Sequence, residues 1–327
     1  MSKVLITTVP FGDKCSQPFE QLGAAGIDYL INPIGRKLKE EELAEMISDF
    51  DVLIAGTEPI TERVMGCAPR LKLISRVGIG LDSVDLLAAE RRGIKVSYTP
   101  DAPAPAVAEL TIGLMLSLLR SIHVANAQMH RGEWHRYFGR RMSEVTLGII
   151  GAGRIGGRLL RHLAAFGSPR VLVNDLAPGP MVAPGLRLEW VDKEVIYREA
   201  DMISLHVPLT VHTKNMIRSD QIATMKSDAL LINTSRGGII NESDLAEALR
   251  MGVIGGAAID VFDHEPYSGE LATLDRCLLT SHMGSMSVDC RTRMEIEVTE
   301  EAIRFLTGQP LSGLVPPEEY DVQRQGL

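Results

Sequence analysis

The chain has 327 residues, of which 45% are hydrophobic and 23% charged, and it carries a formal net charge of −8 at pH 7. That length suits two α/β domains, each with its own core, and the lack of any low-complexity tract marks a globular protein. The acidic balance argues against a nucleic-acid partner or an acidic membrane surface, since either calls for a basic face.

In chain order, short β-branched runs alternate with amphipathic stretches, the pattern of an α/β fold. "MSKVLITTVPF" opens with an immediate strand and is expected to be neither a signal nor a transit peptide. "IDYLINP", "DVLIAGT", "LKLISRVGIG" and "IKVSYTP" read as further strands. "EEELAEMISD" and "DLLAAERRG" read as helices, the second closed by Gly93 where a C-cap belongs. In "YTPDAPAPAVAE" (98–109) three alternating prolines are expected to stiffen an extended domain crossing before a long helix. That helix, "VAELTIGLMLSLL" (107–119), carries Glu109 and is too short to span a bilayer, so no membrane association is expected. The second half repeats the rhythm with "VTLGIIGAG", "RVLVNDL", "MISLHVPL", "DALLINTS", "GAAIDVF" and "CLLTSH". These runs are apolar almost without a break, as in a parallel sheet covered on both faces. After "SHMGSMS" comes one more helix, "RTRMEIEVTEEAIRFLTG", and a Pro-rich tail. The chain is therefore expected to leave one domain and return to it, with 1–98 plus 288–327 forming one domain and 99–287 inserted. Cys15, Cys67, Cys277 and Cys290 show no C-x-x-C spacing and read as free thiols of a reducing cytoplasm. No metal is expected, since His130 and His135 beside Trp134 have poor ligand spacing.

"LGIIGAGRIGGRLLRHLAAFG" holds Gly151, Gly153 and Gly156 in a G-x-G-x-x-G turn, directly after a strand and before a helix. The first glycine makes the tight turn, the second admits a pyrophosphate to the backbone, and the third lets helix and strand pack closely. The helix N-terminus then offers N–H groups and partial positive charge to the phosphates. Such a turn alone is weak evidence, but a second strand follows and ends at Asp175, 24 residues after Gly151. A carboxylate there accepts hydrogen bonds from ribose hydroxyls and repels a 2′-phosphate, and Leu176, Ala177 and Pro178 bring no arginine to greet one. The expected cofactor is NAD rather than NADP.

Arg236 follows "LLINTS", Glu265 lies in "AAIDVFDHEP", and His282 follows "CLLTS", each at the C-terminal end of a late strand. An isolated arginine or glutamate at such a place is commonly a surface ion pair, and an isolated loop histidine is commonly solvated. Placed together beyond a dinucleotide turn, where an open parallel sheet binds ligands, they suggest a joint task. A carboxylate on one imidazole nitrogen fixes the tautomer of an acid–base histidine, while a guanidinium grips a carboxylate in two-pronged fashion. With a nicotinamide, the three perform proton-coupled hydride transfer on a 2-oxo or 2-hydroxy acid, His282 giving and taking the proton.

At this point the sequence resembles the D-isomer-specific 2-hydroxyacid dehydrogenase family, in its phosphoglycerate dehydrogenase-like branch. The likeness runs through "RVGIGLDSVDL", "VAELTIGLML", "LGIIGAGRIG", "HVPLTVHTKNMI", "INTSRGGIINESDLAEAL", "AAIDVFDHEP" and "LLTSHMGSMS" in family order. It implies two doubly wound parallel-sheet domains, a Rossmann NAD-binding domain inserted into a flavodoxin-like substrate domain. It implies the catalytic roles given above for Arg236, Glu265 and His282. It also puts the substrate carboxylate on backbone N–H groups at Val77, Gly78, Ile79 and Gly80. Arg154 and Ile155 would lie on the pyrophosphate, Thr234 and Arg236 near the nicotinamide end, Asp260 on the carboxamide, and His206, Pro208 and Thr213 along the cofactor groove, with Thr111 also binding the cofactor. The helix from Val107 and the arm through "QMHRGEW" resemble a segment through which these enzymes form homodimers.

Departures bear on the substrate, expected to be a small anionic 2-hydroxy or 2-oxo acid. Ser281 stands where the family usually writes proline, and "AGTEPIT" lacks an arginine that phosphoglycerate-specific members place near "AG". Arg136 resembles a basic residue of the arm that reaches a substrate phosphate. No added regulatory domain is expected after residue 327, and serine feedback is not expected. Alternatives are a phosphite- or phosphonate-type dehydrogenase, and a corepressor-like protein that binds NADH as a switch.

Overall fold

The computed structural model describes residues 2–179 and 185–326. Unit 1 comprises Met1–Pro103 and Ser285–Leu327, and unit 2 comprises Ala104–Gly284.

The chain begins in unit 1 with β1 (Lys3–Ile6), α1 (Gln17–Ala24), β2 (Asp28–Ile31), α2 (Glu40–Met46), β3 (Val52–Ala55), α3 (Glu62–Gly66), β4 (Leu73–Arg76), α4 (Leu86–Arg91) and β5 (Lys95–Tyr98). All neighbouring strands run parallel, in the order β2-β1-β3-β4-β5. That is the flavodoxin-like order, whose ligand edge lies beyond the carboxyl ends of the strands. Local chemistry sets the helix starts: the Thr61 side chain accepts from Val64 N ahead of α3, and Asp85 from Ala88 N ahead of α4. Gly93, at φ +66°, follows α4 as the C-cap pattern predicts. β3 and β4 are buried along their whole length, but every residue of edge strand β2 is exposed, so its apolar run does not mark a covered strand.

Unit 2 opens with α5 (Ala104–Leu119) and continues through α6 (Ile122–His130), β6 (Thr146–Ile150), α7 (Arg154–Leu163), β7 (Arg170–Asn174), β8 (Arg187–Trp190), α8 (Lys193–Glu199), β9 (Met202–Leu205), α9 (Ser219–Ile222), β10 (Leu230–Asn233), α10 (Glu242–Met251), β11 (Gly256–Ile259) and β12 (Cys277–Leu279). Helix α5 begins earlier than the prolines suggest. Pro105 falls in its first turn, where a missing N–H costs no intrahelical bond. The seven strands are ordered β8-β7-β6-β9-β10-β11-β12 and all parallel. Counted from β6, that is the doubly wound dinucleotide order with one strand added at its end. Successive side chains feed opposite cores: Leu147, Ile149, Val171 and Val173 pack with α5 and α7, while Ile150, Leu172, Ile203 and Leu231 pack with α8 and α10. The chain then returns to unit 1 with α11 (Val288–Leu306) and α12 (Pro317–Arg324).

Among the described residues no single helix is long and apolar enough to cross a membrane. The bent pair α5 and α6 passes that test together by length and composition, yet Leu114, Met115, Leu118 and Leu119 of α5 are buried in a core of unit 2.

Candidate active site

The glycine turn follows β6. Gly151 has φ +95°, and a Cβ there would lie 2.4 Å from the His206 carbonyl oxygen. A Cβ at Gly156 would lie 2.0 Å from the Gly151 carbonyl oxygen. Neither position admits a side chain, because backbone atoms cannot yield. Gly153 differs: nothing lies within 4 Å of its Cβ position. The turn therefore closes tightly on either side of a gap at its centre, which is the cradle a pyrophosphate needs for backbone approach. Arg154 and Ile155 start α7 at that gap.

Asp175 follows β7 and bends back to this turn. Its Oδ2 accepts from Ala152 N at 2.7 Å and its Oδ1 from Ala177 N at 3.0 Å. The carboxylate is thus fixed at the rim of the cradle. Leu176 beside it is fully exposed, and residues 176–179 hold no cation for a 2′-phosphate. These residues fit NAD.

The segment after β9 is folded by its own side chains. His206 N donates to Ile150 O at 2.7 Å, and its Nε2 lies 2.8 Å from Ser204 Oγ. Burial pushes the His206 imidazole down to about 4, so it is neutral at pH 7 and offers no competing acid. The Thr213 hydroxyl donates to Pro208 O at 2.6 Å and accepts from Thr210 N at 2.7 Å, which fixes the turn. Thr111 on α5 donates its hydroxyl to Val107 O at 2.7 Å and meets the Thr234 hydroxyl at 3.0 Å. That contact pins α5 to the end of β10.

Arg236, Glu265 and His282 follow β10, β11 and β12, three adjacent strands of one sheet. The turn that carries Arg236 is shaped by Asn233, a residue the sequence reading did not single out. Its Oδ1 accepts from Ser235 N at 3.0 Å and Ser235 Oγ at 2.7 Å, and its Nδ2 donates to Arg236 O at 2.7 Å. Such an Asx-type closure is local and has no distant signature. The Arg236 Nη1 donates to Ser235 O at 2.7 Å. Next to it, a Cβ on Gly237 would lie 2.1 Å from Phe262 O. The glycine after the arginine thus lets the β10 turn press on the loop that carries Glu265.

His282 Nδ1 lies 2.8 Å from Glu265 Oε2 and 3.0 Å from Oε1. The histidine is half-buried, and with Nδ1 committed to the carboxylate its Nε2 is the ring nitrogen left able to exchange a proton. The backbone at His282 is left-handed, φ +50°. Asp260, 1% exposed, holds that backbone in place. Its carbonyl accepts from His282 N at 2.7 Å, and its carboxylate accepts from Thr280 Oγ1 at 2.6 Å, Met283 N at 2.9 Å and Gly284 N at 2.9 Å. The resemblance puts Asp260 on a carboxamide; its hydrogen bonds within unit 2 make it the brace of the His282 loop.

The remaining candidates belong to unit 1 and to the stretch after α6 in unit 2. In unit 1, Val77 N donates to Ala55 O at 2.9 Å and Gly78 N to Thr99 Oγ1 at 2.8 Å. Ile79 N and Gly80 N donate to nothing among the described residues, so two of the four amides expected to hold an anion remain available. Arg136 lies on the exposed stretch after α6, in unit 2. Among the described residues no cluster of three or more His, Cys, Asp or Glu is placed to hold a metal.

What the cradle at Gly153 can hold and what His282 can exchange are two halves of one reaction type, dinucleotide-dependent oxidation and reduction. Residues 112–284 match the family model described as D-isomer specific 2-hydroxyacid dehydrogenase, NAD binding domain. The chain is 38% identical over 321 residues to a D-3-phosphoglycerate dehydrogenase of Methanocaldococcus jannaschii, covering 96% of this chain and only 59% of that relative's length. It is 37% identical over 276 residues to a hydroxypyruvate reductase of Thermotoga maritima, covering 82% of this chain and 89% of the relative. Among solved structures, D-lactate dehydrogenase from Aquifex aeolicus, complexed with NAD and lactic acid, superposes with a TM-score of 0.83 at 26% identity, covering 93% of this chain and 96% of that one. The chain belongs to the D-isomer specific 2-hydroxyacid dehydrogenase family, and its cofactor is NAD.

Proposed function

We propose that the protein transfers a hydride between NAD and C2 of a small D-2-hydroxy or 2-oxo acid, with unit 2 holding the cofactor and unit 1 contributing to substrate binding. The observation that carries this reading is the pairing of His282 Nδ1 with Glu265 at 2.8 and 3.0 Å. When bound, the nicotinamide supplies or accepts the hydride. His282 Nε2 gives its proton to the carbonyl oxygen in reduction and takes it back in oxidation. Glu265 holds Nδ1, fixing the tautomer and stabilising the imidazolium. Arg236 grips the substrate carboxylate and polarises the carbonyl beside it. In unit 1, the free amides of Ile79 and Gly80 bind a substrate carboxylate. Gly151, Gly153, Arg154, Ile155 and Gly156 hold the pyrophosphate, and Asp175 holds the ribose.

Glu265→Gln tests this reading, because it keeps the shape and removes the charge. The expected result is a kcat/KM for reduction that falls on the order of 100-fold at neutral pH while NADH still binds. An unchanged kcat/KM counts against the role given to Glu265.

Two further features belong to the same proposal. Ile122, Met129, Trp134 and Phe138 are exposed along α6 and the stretch after it, and they support a homodimer through this arm. Light scattering is expected to give twice the 35.7 kDa of one chain, and a monomer at assay concentration would refute it. The four cysteines are all free thiols, which supports a place in the cytoplasm.

A further inference from the structure

The carboxyl edge of the unit 1 sheet carries buried polar groups for which the reaction gives no use. Strands β1, β3 and β4 lie side by side, and their pairing continues past the strand ends: Thr7 N donates to Ile54 O and Val77 N to Ala55 O, both at 2.9 Å. Three segments therefore emerge together, Thr7–Thr8, Gly56–Glu58 and Val77–Gly80, at the edge where an open α/β sheet binds ligands. In sheet order the segment after β3 stands between Thr7–Thr8 and the Val77–Gly80 loop, with adjacent strands about 4.8 Å apart.

What stands there is Glu58, 1% exposed. Its Oε1 accepts from Gly56 N at 3.0 Å and from the Thr7 hydroxyl. A Cβ on Gly56 would lie 2.8 Å from Glu58 Oε2 and 3.1 Å from Thr8 Cα, so the glycine is what lets the carboxylate fold back over the strand end. Oε2 accepts no hydrogen bond among the described residues. The nearby cation of α11 is already committed. Arg291 Nε donates to Glu295 Oε1 at 2.6 Å, and its Nη2 donates to Thr8 Oγ1 at 2.9 Å and to Pro10 O. Arg76 lies under the anion loop instead, with Nη1 2.9 Å from the Cβ position of Gly78. The edge is thus arranged for one anion at the loop, with a fixed negative charge one strand away.

We infer that Glu58 sets the substrate class: beyond its carboxylate the substrate carries an uncharged hydrogen-bond donor, a hydroxyl, and no phosphate. This rests on the proposal that Ile79 and Gly80 take the substrate carboxylate. A phosphate ester would bring close to two negative charges beside a buried carboxylate, a juxtaposition that suppresses wrong ligands strongly. A hydroxyl can instead donate to the unengaged Oε2.

The test is kcat/KM for hydroxypyruvate, 3-phosphohydroxypyruvate and glyoxylate, followed by NADH oxidation in the wild type and in Glu58→Gln. The wild type is expected to prefer hydroxypyruvate over its phosphorylated form by about 100-fold, and Glu58→Gln to narrow that ratio by about tenfold, chiefly through KM for the phosphorylated acid. A wild type that prefers the phosphorylated acid overturns the inference. So does a variant that slows all three acids alike and leaves the ratio unmoved, since that is the mark of a structural role only. Absence of turnover with all three acids in the wild type overturns the proposed reaction, and this inference with it.

Discussion

His282→Asn is expected to keep the fold and NADH affinity while lowering kcat about 10²- to 10⁴-fold, the range of a lost general acid. The backbone at position 282 is left-handed, φ +50°, and asparagine tolerates that conformation better than most residues. The brace from Asp260 acts on the backbone amides of 282, 283 and 284, so it does not depend on the imidazole. What the substitution removes is the group that pairs with Glu265 and, in the proposed reaction, carries the exchangeable proton. Stopped-flow or steady-state NADH oxidation reads the loss, and fluorescence titration with NADH reads the retained binding. A variant with near-wild-type kcat would remove His282 from the chemistry.

Arg236→Ala is expected to lower kcat/KM on the order of 10³-fold while NADH still binds. Truncating one side of a desolvated charge pair costs about 2–5 kcal/mol, which spans that factor. The turn does not need the guanidinium, because Asn233 closes it through the backbone of Ser235 and Arg236. The loss should therefore be one of substrate binding and polarisation. Arg236→Lys is expected to recover only part of it, since an ammonium keeps the charge and loses the planar two-pronged grip. Turnover of the alanine variant near the wild-type value would exclude Arg236 from the mechanism.

How much of this was legible in the sequence depends on how far each residue's chemistry is dictated locally. Gly151 and Gly156 were legible because backbone lies 2.4 and 2.0 Å from their missing Cβ atoms, leaving glycine as the sole residue that fits. The buried strands β9 and β10 were legible because both faces are covered and the apolar run has no gap. Strand β8 was missed: its four residues, Arg187–Trp190, alternate exposed charges with half-buried apolar side chains, so no apolar run marks them. Strand β2 was read as a strand but not as an exposed edge, because Tyr29, Leu30 and Ile31 look apolar whichever way they face. Asp260 and Asn233 shape the site through hydrogen bonds to residues whose positions only the fold supplies. Glu58 belongs with them, since nothing in "AGTEPIT" says that its carboxylate turns inward.

The central claim, hydride transfer between NAD and a small 2-oxo acid, is tested most directly by one measurement on the unmodified chain. NADH consumption should be followed by its near-ultraviolet absorbance against hydroxypyruvate, glyoxylate, pyruvate, 3-phosphohydroxypyruvate and phosphonopyruvate. The prediction is saturable consumption with at least one of these acids, strongest for hydroxypyruvate, and formation of the D-2-hydroxy acid. Tight NADH binding without consumption on any of them would contradict it, and would make the cofactor a signal that the protein senses rather than a reagent that it uses.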